Sequence, residues 1–248
     1  MLHRAQVQSN NFQNQLKTNI MTKKIHFITQ AKGGSGKSVL AFMLAEKYRD
    51  AVILDLDDAT TTSMKQLAYR NPVKVSFLDP TTKRIDRGAF NGLFESVSEA
   101  PKELFIADLG ASVAEQLPKY FSMNGITVIM EVLEQSNIQL QMVCVVGGGN
   151  IFKATMGYLE ELVASNRDYL EITVAHNGFY PVSQEQEDKL HKYVEWNKLP
   201  LVHFDLVRDK GEIAMRTVEN VLKDGNGTLG LSPFASIYFK KPIEELNL

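Results

Sequence analysis

The chain has 248 residues, 44% of them apolar, a formal net charge of −2 and a pI near 6.2. That size and balance suit one large α/β domain, and they lack the basic excess that a dedicated nucleic-acid binder carries. The single cysteine, Cys144, excludes a disulfide framework or a cysteine-clustered metal site within one chain and points to a reducing cytoplasm.

The first twenty residues are rich in Asn and Gln and lack the apolar stretch of a signal peptide. Residues 1–22 are therefore expected to form a flexible N-terminal extension, with Met21 a candidate start and one folded domain over 23–248. "KIHFITQ" (24–30) predicts the first strand. "KSVLAFMLAEKYRD" (37–50) predicts a helix, because Leu40, Met43, Leu44 and Tyr48 recur three or four apart. "AVILDLD" (51–57) and "VKVSFLD" (73–79) predict the next strands, with a helix near 89–98. "ELFIADLG" (103–110) predicts the fourth strand, again followed by a helix. Residues 125–135 carry β-branched side chains, but "IQLQMVCVV" (138–146) follows directly and is the better strand, so 125–135 is expected to be helical. "GGGNIFKATMGYLEELVAS" (147–165) runs from a glycine turn into a helix. "LEITVAHN" (170–177) is the sixth strand. The next helix opens at Ser183, with Gln186 completing a capping box. "LVHFDL" (201–206) is the seventh strand, and helices close the chain. This alternation predicts an α/β fold with a mostly parallel sheet of seven or eight strands, covered by helices on both faces. No apolar run approaches the length of a membrane span.

One loop stands out. "QAKGGSGKS" (30–38) joins a buried strand to a helix, which is where phosphate binds in such sheets. Glycines let backbone N–H groups converge on an anion, and the helix N-terminus adds partial positive charge. Lys37 is placed to reach the β- and γ-phosphates, and the Ser38 hydroxyl to ligate Mg²⁺. Ala31 stands where the usual phosphate-binding loop begins with glycine, but Gly33, Gly34 and Gly36 remain.

The pattern Lys32-Gly33-Gly34-Ser35-Gly36-Lys37-Ser38 resembles the deviant Walker A motif of the ParA/MinD family of P-loop ATPases. The resemblance implies a nucleotide-sandwich homodimer formed on ATP binding, in which Lys32 reaches the partner's phosphates. Gly33 to Val39 would then hold the nucleotide. "VILDLDDATTTS" (52–63) resembles the family's second motif: Asp57 would position the attacking water and Asp55 would support the metal site. Asp58 stands where the family often has proline. "LFIADLGAS" (104–112) resembles Walker B, with Asp108 holding Mg²⁺ and Gly110 leaving the loop free to sense the γ-phosphate. Asn177, at the end of strand six, would pair with adenine, and the loop carrying Leu206, Val207 and Arg208 would cover the base. Phosphoryl transfer needs an oriented water and charge neutralisation rather than covalent help, and these residue types supply both. No guanine-reading Asn/Thr-Lys-x-Asp motif appears near strand six, so ATP is the expected nucleotide.

Within the family the likeness is nearest to the TraL-type branch of conjugal transfer and plasmid partition, carried by "KIHFITQAKGGSGKS", "DLGAS", "VVGGGNIFKATMGYLEEL" and "AHNGFYP". It implies slow hydrolysis stimulated by an activating protein partner, in a cytoplasmic switch that positions DNA or other cargo. Non-specific DNA binding would use surface cations such as Lys189, Lys192, Lys198, Arg208, Lys210, Arg216 and Lys223. A MinD-like role would need a C-terminal amphipathic membrane helix. The tail "FASIYFKKPIEELNL" carries Pro242 in its middle and acids after it, so no stable membrane binding is expected. A scaffold that binds nucleotide without hydrolysing it is the remaining alternative.

Overall fold

The computed structural model describes residues 22–58, 62–123, 126–207 and 211–248. Nearly all of the expected N-terminal extension, residues 1–21, and Arg208 with its two neighbours lie outside them. Seven strands form one sheet: β1 (Lys23–Thr29), β2 (Val52–Leu56), β3 (Val73–Lys74), β4 (Leu104–Leu109), β5 (Ile138–Gly147), β6 (Glu171–Asn177) and β7 (Leu201–Phe204). Their order is β3-β2-β4-β1-β5-β6-β7, with every pair parallel. The helices among the described residues are α1 (Lys37–Lys47), α2 (Thr62–Gln66), α3 (Arg87–Glu99), α4 (Ala111–Met123), α5 (Ile126–Gln135), α6 (Phe152–Asn166), α7 (Gln184–Asn197), α8 (Glu212–Asp224) and α9 (Pro233–Glu244). A parallel strand must be reached by a crossover, and helices make most of those crossovers here.

Alternate residues of each strand face opposite sides, so each strand feeds two cores. Ile25 and Phe27 of β1, Phe105 and Ala107 of β4, and Leu140 and Met142 of β5 join one core with α3 to α6. Ile28, Ile106, Val143 and Val145 join the other with α1, α8 and α9. The same alternation decides where the polar strand ends point. Asp55 follows Ile53 by two, Asp108 follows Ile106 by two, and Asn177 follows Ala175 by two. All three therefore face the side on which α1 packs.

Three local expectations needed revision. The third strand was expected over 73–79, but β3 stops at Lys74. Val75 still donates its N–H to the Asp55 carbonyl (2.9 Å), and then Phe77 turns into the core, fully buried against Phe90 at 5.3 Å between ring centroids. Burying that ring takes the chain off the sheet edge. The capping box at Ser183 is half made. Ser183 accepts the N–H of Gln186 (3.3 Å), but the Gln186 side chain accepts from Gly149 N–H (3.0 Å) and donates to Gly149 O (3.1 Å) instead of reaching back. Pro242 does not interrupt the tail in mid-course. It sits in the last turn of α9, so the helix runs unbroken through Lys241 before the proline ring, and Phe239 packs against Phe42 of α1. Residues 125–135 are helical from Ile126, as expected.

Candidate functional site

The loop between β1 and α1 is built around two left-handed glycines, Gly34 (φ 73°) and Gly36 (φ 102°). Side chains with a Cβ avoid that region, so glycine is required at both. Gln30 fastens the start of the loop. It is fully buried, its Nε2 donates to the carbonyls of Val145 (2.7 Å) and Thr155 (3.2 Å), and its Oε1 accepts the N–H of Lys32 (3.1 Å). Tyr180 donates its hydroxyl to Gly34 O. Sequence reading assigned neither residue a role, although Gln30 stood inside the loop it quoted.

The two lysines of the loop are placed oppositely. Lys37 is 9% exposed and opens α1, and burial lowers its pKa while the Asp108 and Asp57 carboxylates pull it back up. Lys32 is exposed. Ser38 donates its hydroxyl to Asp108 Oδ2 (2.6 Å), and Ser63 of α2 donates to the same oxygen. Ser63 was missed in the sequence because nothing in "ATTTS" separates it from its neighbours. Burial raises the Asp108 pKa to about 6, against the pull of the Ser38 and Ser63 hydroxyls and Lys37. Its Oδ1 is buried and has no hydrogen-bond partner among the described residues. An orphaned carboxylate oxygen beside a serine hydroxyl is the donor set that suits a hard divalent cation such as Mg²⁺.

Asp55 lies one strand away, paired in register with Asp108 and fully buried. Its Oδ1 accepts the N–H of Asp57 (3.0 Å) and its Oδ2 accepts the N–H of Met64 (3.1 Å). Asp57 follows at the strand end, packed against Gly110, where a Cβ would lie 2.5 Å from Asp57 Oδ1 and 2.8 Å from its Cα. Asp58, the departure from the family's proline, accepts the N–H of Leu78 (3.1 Å) and so holds the chain that leaves β3.

A cavity of about 390 Å³ opens beside the loop. Gly34 to Val39 and Asn177 line it together with the apolar side chains of Leu206, Val207, Met215, Val218 and Leu222. That is a polar anchor and an apolar slot, the usual make-up of a small-molecule site. The α8 residues of this lining were not anticipated. Their signal was the spacing of Met215, Val218 and Leu222, three and four apart on one face. Asn177, expected to pair with adenine, makes two bonds within the chain. Its Nδ2 donates to Ser35 O (2.9 Å) and its Oδ1 accepts Phe179 N–H (3.0 Å), so the amide here joins the phosphate loop to β6.

Comparison with solved structures matches this architecture to signal recognition particle receptor FtsY from Elizabethkingia anophelis, with a TM-score of 0.50 and 14% identity, over 90% of this chain and 67% of that one. The chain has the P-loop NTPase fold. Other structural neighbours of this P-loop fold include the MinD cell division protein of Aquifex aeolicus (TM-score 0.47, 14% identity, 88% of this chain and 94% of that one). A plasmid partition protein from Borrelia burgdorferi B31 bound to AMPPNP is another (TM-score 0.44, 14% identity, 90% and 97%). No protein-family model and no curated protein matches the sequence.

No described helix is long and apolar enough to cross a membrane. Of the surface cations, Lys189 pairs with Glu160 (3.6 Å) and Arg216 with Glu212 (2.7 Å).

Proposed function

We propose that this P-loop NTPase binds and hydrolyses ATP with Mg²⁺ as a ParA-type switch, dimerising around the nucleotide in plasmid or DNA segregation or in conjugal transfer. The observation that carries this reading is the opposite placement of two lysines in one loop. A buried Lys37 serves the nucleotide of its own subunit. An exposed Lys32, five residues earlier on the same glycine-rich turn, is available to a second copy of the chain.

The geometry supports the following division of roles. Lys37 and the N-terminus of α1 bind the β- and γ-phosphates. The apolar wall of Leu206, Val207, Met215, Val218 and Leu222 takes the base. Ser38 and Asp108 hold Mg²⁺, which when bound neutralises phosphate charge. Asp57, whose charge acts on Lys37, orients the attacking water. Gln30 and Asn177 keep the loop in its binding shape. The cargo side is set by what the dimer touches, with DNA or a transfer component as the expected partners and an activating protein as the trigger.

Calorimetric titration with ATP and GTP in the presence of Mg²⁺ tests the reading. ATP should bind and GTP should bind more weakly, while Lys37→Ala should abolish ATP binding. Equal or tighter GTP binding overturns the ATP assignment, and wild-type binding by Lys37→Ala overturns the site. A DNA-directed role further expects ATP-dependent duplex binding that weakens steeply with salt, because phosphate contacts release counterions. A gel shift that stays negative with ATP at low salt favours a protein cargo.

A further inference from the structure

We infer that Asp55 is a positioning residue, which fixes Asp57 through the backbone and lends no oxygen to the Mg²⁺ site. The inference rests on the ATPase reading above for its catalytic consequence, and it replaces the metal-supporting role that the resemblance implied for Asp55.

Two observations carry it. The first is that both oxygens of Asp55 are engaged by the backbone. Each of its carboxylate oxygens accepts one backbone N–H, from Asp57 at 3.0 Å and from Met64 at 3.1 Å. Charge-assisted bonds of this kind are about twice as strong as neutral ones, and breaking one inside the protein strands a buried amide. The second is the contrast with Asp108, its register neighbour on β4. Both carboxylates are buried and both point toward α1. Asp108 takes two hydroxyls on one oxygen and leaves the other without a partner, whereas each Asp55 oxygen already accepts a backbone amide. Of the two, Asp108 is the one that offers a cation an oxygen with no hydrogen bond to give up.

The arrangement also explains how Asp57 is held. Its N–H is tied by Asp55, and its Cα lies within 2.8 Å of where a Cβ on residue 110 would stand. The tie at Met64 places the neighbouring Ser63, whose hydroxyl reaches Asp108. One carboxylate thus sets both the proposed water-orienting residue and the hydroxyl that fills Asp108 Oδ2. Burial raises the pKa of Asp55, and the two amides pull it back toward the ionised form they need.

The test separates a staple from a metal ligand. In full-length Asp55→Asn, one acceptor oxygen becomes a donor, so a staple loses at least one of its two bonds. Amide exchange at Asp57 and Met64, followed by NMR without nucleotide, should then speed up about tenfold or more. Mg²⁺ affinity, measured by titrating Mg²⁺ into the ADP-bound chain, should stay within about twofold of wild type, and kcat should fall about tenfold or more at unchanged KM for ATP. Mg²⁺ affinity falling about tenfold with unchanged exchange at the two amides overturns the inference. A second measurement needs no variant: in the wild-type chain, protection of the Asp57 and Met64 amides should persist when Mg²⁺ and ADP are added. Its collapse would mean that the carboxylate has moved to the metal. A wild-type chain that binds no ATP sinks the ATPase reading, while the nucleotide-free exchange comparison still decides the staple.

Discussion

Asn177 Nδ2 stands 2.9 Å from the carbonyl of Ser35, and a Cβ on the next residue, Gly36, would lie 2.2 Å from that same nitrogen. The end of β6 and the phosphate loop are therefore fitted to each other through one amide. Asn177→Ala leaves a buried carbonyl unpartnered, at a cost of about 1–3 kcal/mol, so ATP affinity is expected to fall about tenfold. Titration calorimetry reads this directly, and an unchanged affinity would show that the loop holds its shape without the amide.

Gly110→Ala is expected to separate binding from turnover. The three atoms nearest the added Cβ all belong to Asp57, its Cα and its carboxylate, at 2.5 to 2.9 Å. Nucleotide affinity should stay within about twofold, while single-turnover hydrolysis slows about tenfold or more. Hydrolysis at the wild-type rate would mean that Asp57 does not orient the water.

Lys32 and Asp57 predict opposite effects on assembly. Asp57→Ala should bind ATP, fail to cleave it and persist as a dimer, because the uncleaved nucleotide holds the two copies together. Lys32→Ala should bind ATP as a monomer and fail to dimerise. Light scattering with ATP should show a transient dimer for wild type. If Lys32→Ala dimerises like wild type, Lys32 is a surface residue and the sandwich reading fails.

Acid should destabilise the fold well above the usual carboxylate range. His26 and His176 both titrate near 4, His26 through burial and then the Lys24 charge, His176 through burial and then His203 and His191. The unfolded chain takes up these two protons near 6.5, so between about 6.5 and 4 it binds more protons at these sites than the native state, and Asp108, raised to about 6, offsets only part of this by taking one proton in the native state. Stability is therefore level above that window and falls as pH drops through it. The urea midpoint should decline from pH 7 to 4.5, and less steeply in His176→Gln. A midpoint constant over this range would refute the assignment.

Much of the site was legible because its chemistry depends on local order. Lys37, Ser38 and Asp108 follow from a glycine loop after a strand and an acid at a strand end, and alternation alone turns Asp55, Asp108 and Asn177 to one face. What escaped was whatever depends on distant partners. Ser63 meets Asp108 across 45 residues, Gln30 meets Thr155 across 125, and Tyr180 meets Gly34 across 146. No period or motif encodes such meetings. The shortness of β3 escaped for a related reason: Phe77 has high strand propensity, yet the aromatic core takes it off the sheet edge. Asn177 was placed correctly at its strand end, but which of its possible partners holds it depends on where the Ser35 carbonyl comes to rest.

The strand order has a consequence for how the molecule comes into being. β1 is made first yet lies at the centre, flanked by β4 and β5, so its neighbours arrive only after residue 104 and residue 138 have been synthesised. The Gln30 tether waits for Val145 and Thr155, and the Asn177 clamp waits longer still. Contacts this remote in sequence make for slow folding, and a nascent chain that displays the glycine loop does not yet own the frame that shapes it. Nucleotide thus cannot template the first half of the domain on the ribosome; it can only reward a chain already finished through α8, whose Met215, Val218 and Leu222 close the cavity.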